Sequence, residues 1–168
     1  GMWVSSTDDR IAVSPDAHAK PQIDINGLEH NPTFAFEAKS LGTKYHLQTV
    51  VPFRVYQMLN YSETPDSQRN ELQSLSLKLF PEILETRREF DFIPEQYQSQ
   101  VLQYFVVNPD LQTVYFTMLD DRVYGSLQHE VFAVERQSVA SEIEAQETKE
   151  LQTLALIDGL QKLGGVEW

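Results

Sequence analysis

A chain of 168 residues with 41% hydrophobic content carries enough apolar side chain for one core, so a single domain over residues 1–168 is expected. Its 13 basic and 25 acidic residues leave a net charge of −12, which excludes a surface that holds DNA or anionic lipid everywhere, so any nucleic-acid site has to be a local basic pocket. Absence of cysteine excludes disulfides and thiolate chemistry, and no apolar run approaches the roughly 18 residues of a membrane span, so a cytoplasmic protein with no membrane partner is expected.

Residues 3–13 are weakly strand-like and end at the turn-forming Ser14-Pro15-Asp16. The next stretch, "AHAKPQIDINGLEHNP", is rich in Pro, Asn, Gly and Asp and reads as a loop or an extended hairpin arm. From Thr33 the pattern alternates. Phe34, Phe36 and Ala38 fall on one face and Thr33, Ala35, Glu37 and Lys39 on the other, the period of a half-buried strand.

Pro52 predicts the first turn of a short helix over "VPFRVYQMLNY", and "SETPD" breaks it. A longer helical run extends from Ser67 to Phe90, kinked or split at Pro81. Another helix runs from Pro94 to Asn108. At 100 degrees per residue it stacks Gln96, Gln100 and Gln103 in one stripe beside an apolar face of Tyr97, Val101, Tyr104 and Phe105. "TVYFTML" (113–119) and "HEVFAVE" (129–135) are strand candidates, and Ser138 to Leu163 predicts a helix stopped by Gly164-Gly165. Strands, helices, strands and helix in that order predict an α/β or α+β domain with a mixed sheet.

Hydrolysis of a phosphodiester needs charge neutralisation at the phosphoryl oxygens and a nucleophile made from water, and a divalent ion held by carboxylates supplies both. Magnesium prefers oxygen ligands, so two carboxylates and a backbone carbonyl make a half-site for it. A Lys on the same strand face as the second carboxylate can orient the attacking water or stabilise developing charge. Glu37 and Lys39 have that spacing. The other Glu-x-Lys triplet, Glu147 with Lys149, lies in a helical run, where residues two apart diverge by about 200 degrees. Of the three Pro-Asp pairs, those at 65 and 109 read as element junctions, which leaves Asp16. The bland alternative for Asp16, Glu37 and Lys39 is solvated charge on an exposed strand face. His18, His30, His46 and His129 lack ligand spacing and read as surface or loop histidines. No Gly-rich phosphate loop and no Gly-x-Ser-x-Gly elbow is present.

The ordered segments "SPDA", "FEAKS", "IPEQYQSQVLQYFVV", "VYFTMLDDR" and "HEVFAVERQSVASEI" resemble the phage lambda exonuclease and YqaJ-type viral recombinase nucleases of the PD-(D/E)XK superfamily. The resemblance covers residues 10–145, and Gln100 with Tyr104 resembles the Gln-x-x-x-Tyr helix motif of RecB-like nucleases. It implies a restriction-endonuclease-like core, a mixed central sheet flanked by helices, with a helical insertion at about 50–92. The implied activity is Mg²⁺-dependent (or Mn²⁺-dependent) digestion of double-stranded DNA from its ends during phage recombination. Implied partners are a homotrimeric assembly and a single-strand annealing protein.

Carried over by motif, Asp16 and Glu37 are the carboxylate ligands and the Ala38 carbonyl a third. Lys39 stabilises charge or orients water, and Gln100 stands by the metal-water site. Tyr104 supports the helix or contacts nucleic acid. Ser14 is a candidate for phosphate contact or simply a turn former, and Lys44, Arg54, Arg87 and Arg88 are candidates for backbone-phosphate contact, with solvated surface charge the simpler reading for each. Arg122 and Arg136 resemble family positions beside the late strands, with a structural role the simpler reading. The sequence departs from the family at Ala17, where a glycine is usual, and in the twenty residues between Asp16 and Glu37, which leaves Asp24 as the alternative first ligand. Family helices that precede the Pro-Asp segment are expected to be missing. A catalytically inactive DNA-binding or assembly module on the same fold is the alternative function, and an unrelated acidic interaction domain a third.

Overall fold

A computed structural model describes residues 2–18, 22–23, 29–30, 33–80 and 87–162. The protein is a mixed α and β fold. Its central sheet has four strands in the order β3 (Ala17–His18), β6 (Phe34–Ser40), β7 (Thr113–Leu119) and β8 (His129–Glu135). β6 and β7 are parallel, and the pairs β3 with β6 and β7 with β8 are antiparallel. Two short hairpins stand apart from this sheet, β1 (Trp3–Val4) with β2 (Ala12–Val13) and β4 (Gln22–Ile23) with β5 (Glu29–His30).

The parallel β6–β7 pair requires a crossover. It is made by α1 (Thr43–Asn60), α2 (Asp66–Leu79), a 3-10 turn at Glu89–Phe92 and α3 (Glu95–Val107). A 3-10 turn at Arg136–Val139 then leads into α4 (Ala140–Lys162), which packs on α3. Among the described helices none is long and apolar enough to cross a membrane.

One face of the sheet is the core face. Ala35, Val114 and Val134 form one cross-strand row, Glu37, Phe116 and Phe132 the next, and Lys39, Met118 and Glu130 the third. Phe53 of α1 packs on Phe132 at 4.5 Å between ring centroids, and Tyr97 of α3 on Phe116 at 5.6 Å. These contacts seat α1 and α3 on this face and exclude water from it. The opposite face is open, with Phe36, Leu119 and Val131 each about two-fifths exposed and Phe36 stacked on Tyr115 at 5.0 Å.

Three helices differ from their sequence expectation. The helix expected to begin at Pro52 begins nine residues earlier at Thr43, with Pro52 inside it. Burial of Val50, Pro52 and Phe53 offsets the missing backbone donor, a case of packing overriding propensity. The run expected from Ser67 to Phe90 ends at Leu79, because Phe80, which precedes Pro81, is driven out of the helical region to φ −146°, ψ 64°. The helix expected from Ser138 opens instead with a 3-10 turn and becomes α-helical at Ala140; Gly164-Gly165 lie outside the described residues.

Candidate functional site

The period-two pattern of β6 puts Ala35, Glu37 and Lys39 on the core face, beneath α3. Glu37 is 1% exposed, which rules out solvated charge on an open strand face as the reading for this residue. An isolated buried carboxylate is costly and persists only with partners. Glu37 has three. Gln100 Nε2 donates to its Oε1 at 2.7 Å, Lys39 Nζ is ion-paired to the same oxygen, and the Tyr104 hydroxyl donates to Oε2. Gln100 and Tyr104 are one helical turn apart on α3, so a single helix face delivers both donors. Lys39 also stands 5.6 Å from the centroid of the Tyr97 ring, whose face favours a cation.

Asp16 arrives from the other side. Its Oδ2 accepts the backbone N–H of Ala38 at 2.9 Å, one peptide from Glu37. Pro15 is buried and Asp16 exposed, so the carboxylate stands at the solvent edge of the same cluster. The Ser14 carbonyl lies 3.4 Å from the Tyr104 hydroxyl. Trp3 of the N-terminal hairpin meets Tyr104 edge to face at 6.3 Å, which closes the buried side. Burial pushes the Tyr104 hydroxyl well above its ordinary range, the hydrogen bond to Glu37 adds to the shift, and the Asp16 charge contributes in the same direction. The phenol therefore stays protonated and remains a donor.

Asp16, Glu37, Ala38, Lys39, Gln100, Tyr104 and Ser14 thus meet in one place. Arg54 is otherwise engaged: its guanidinium is ion-paired to Glu130, which is 4% exposed, and its Nη2 reaches the Ser126 carbonyl at 3.5 Å. The expected phosphate contact from Arg54 therefore competes with a structural ion pair. Arg122 pairs with Asp120 and Arg136 binds backbone carbonyls, so both have structural roles. Asp24, the alternative first ligand, lies outside the described residues.

His46, expected at the surface, is fully buried on α1 with Nε2 2.7 Å from the Leu127 carbonyl. His46 and Val50 fall on one face of α1, but because the sequence pattern starts that helix only at Pro52, nothing local marked His46 as buried. The side chains of His18 and His30 are outside the description, and His129 is exposed. Sequence reasoning also missed Tyr97 as the ring beneath Lys39, although it sits on the same apolar stripe as Tyr104.

A hard divalent cation fits the donor set by its chemistry. Asp16 and Glu37 supply carboxylate oxygens, and the exposure of Asp16 leaves room for water ligands. Among the described residues no group of three or more His, Cys, Asp or Glu side chains is placed to hold a metal. Comparison with protein-family models, with curated proteins and with solved structures finds no match.

Proposed function

We propose that the protein is a divalent-metal-dependent deoxyribonuclease that hydrolyses phosphodiester bonds at the ends of double-stranded DNA, on a restriction-endonuclease-like core. The observation that carries the reading is the buried Glu37 carboxylate, gathered with Asp16, Lys39 and Gln100 from segments far apart in the chain. Burial of an ionisable cluster against an otherwise apolar core is costly to stability and is found where chemistry needs it.

A bound Mg²⁺ would supply Lewis acidity and an activated water, held by Asp16, Glu37 and the Ala38 carbonyl. The chain's own groups do the rest. Lys39 places a cation where phosphoryl charge develops. Gln100 fixes the rotamer of Glu37 through its amide, and Tyr104 holds the other carboxylate oxygen from beneath. With a net charge of −12, attraction of the DNA backbone rests on Lys39 and the cation together rather than on the surface at large.

The test is digestion of linear duplex DNA with and without Mg²⁺, comparing wild type with Glu37→Ala and Lys39→Ala. The expected result is metal-dependent loss of DNA from its ends, reduced by about 10²-fold or more in each variant. Metal-independent digestion, or none above background, overturns the nuclease reading. A catalytically inactive DNA-binding module on this fold is favoured by one observation: both oxygens of Glu37 already have protein donors. Duplex binding without turnover would support that reading.

A further inference from the structure

The Lys39 ammonium stands at the solvent boundary of the cluster, on a side chain that is 26% exposed. Among the described residues two groups hold it. One is the ion pair to Oε1 of Glu37, and the other is the ring of Tyr97, whose centroid lies 5.6 Å from Nζ. The ring is itself fixed from below, because it packs at 5.6 Å on Phe116, which has no exposure at all. Tyr97, Gln100 and Tyr104 stand at positions i, i+3 and i+7 of α3 and so share one side of the helix. The side that gives Glu37 its two donors therefore also gives Lys39 its ring.

The two anchors respond differently to a metal ion. Oε1 of Glu37 already accepts from Gln100 and is paired to Lys39. With a divalent cation at Glu37 that oxygen is shared, and the ammonium meets a like charge close by. A compact charge on a flexible four-carbon stem then swings into solvent unless something else holds it. The face of an aromatic ring attracts an ammonium through its quadrupole and is no ligand for a hard divalent ion, which takes oxygen. We infer that Tyr97 is a positioning residue: its ring holds the Lys39 ammonium at the site independently of Glu37, so that Lys39 keeps its place when Glu37 carries a divalent cation. This rests on the proposed metal site and adds to it the group that keeps ammonium and metal ion together.

The experiment compares the full chain as wild type, Tyr97→Phe and Tyr97→Leu, with Tyr97→Met as a second aliphatic variant should leucine not fold. NMR follows the Lys39 methylene protons beside Nζ, with and without saturating Mg²⁺, and digestion of linear duplex DNA gives kcat and KM. A ring face under Lys39 moves those protons upfield. The expected result is that shift in wild type and Tyr97→Phe, kept when Mg²⁺ is added, and its loss in the aliphatic variant. There kcat falls by about 3- to 30-fold with KM little changed, while Tyr97→Phe retains most of kcat. A folded aliphatic variant whose Lys39 protons do not move or whose kcat stays at the wild-type value overturns the role of Tyr97, as does loss of the upfield shift in wild type on adding Mg²⁺. A wild type that digests no DNA overturns the nuclease reading instead, and a shift kept in Mg²⁺ but lost in the aliphatic variant then still supports the placement of Lys39 by Tyr97.

Discussion

The Tyr104 hydroxyl donates to Oε2 of Glu37, joining the one fully buried tyrosine of α3 to the one acidic residue in the middle of β6. The bond has two consequences. It satisfies an oxygen that has no access to water, and it ties the helix to the strand at the row where Phe116 and Phe132 complete the core.

Tyr104→Phe removes the donor and little else in volume. A buried carboxylate oxygen deprived of its partner costs about 1–3 kcal/mol. Urea denaturation should show a loss of that size with an unchanged slope. Tyr104→Phe combined with Glu37→Leu should recover part of the loss, since the orphaned charge is then gone. A Tyr104→Phe variant as stable as wild type would mean that the hydroxyl contributes nothing to holding Glu37.

The parts of this arrangement that could be read in the sequence are those set by local period. Alternation over Phe34–Lys39 places Glu37 and Lys39 on one face, and the helical period over α3 places Gln100 and Tyr104 one turn apart. Which face of β6 is buried is a different matter. Phe34 and Phe36 argue by hydrophobicity for their own side, yet the face of Glu37 and Lys39 is the one beneath α3, and Phe36 is 38% exposed. Local pattern cannot decide this, because the choice is made by Phe53, Tyr97 and Tyr104 from other segments. The start of α1 was hidden for a related reason. Thr49, Val50 and Val51 are poor helix formers and Pro52 reads as a first turn, while the burial that holds them helical is tertiary.

Asp120 provides a test of acid sensitivity. Its side chain is buried, and it accepts the backbone N–H and the Nε–H of Arg122 at 3.1 and 2.7 Å. The Arg122 guanidinium, with help from the Thr43 hydroxyl, holds the Asp120 carboxyl far below the usual carboxylate range. A carboxyl that is low in the folded state and ordinary in the unfolded one stabilises the fold above about pH 4, and that contribution is lost as pH falls toward the folded value. Asp120→Asn should therefore be less stable than wild type at pH 7, with the gap narrowing steadily as pH drops from about 4 toward 2. Denaturation midpoints across that range measure it. A gap that stays constant with pH would show that the charge of Asp120 is not what Arg122 and Thr43 recognise.

Arg136 closes the end of α3. Its Nε donates to the Leu111 carbonyl and its Nη2 to those of Phe105 and Asn108, each at 2.7 Å. The last carbonyls of a helix have no partner within it, and a cation there also opposes the negative end of the helix dipole. The guanidinium lies 5.1 Å from the Phe105 ring centroid, so its planar group is packed as well as bonded. Arg136→Ala leaves several carbonyls bare at once and should cost about 2–4 kcal/mol. Arg136→Lys should recover little of this, because a single ammonium cannot reproduce a flat fork that reaches three acceptors. Thermal and urea denaturation of the two variants decide the point. Rescue by lysine would assign the contribution of Arg136 to its charge at the helix end rather than to its geometry.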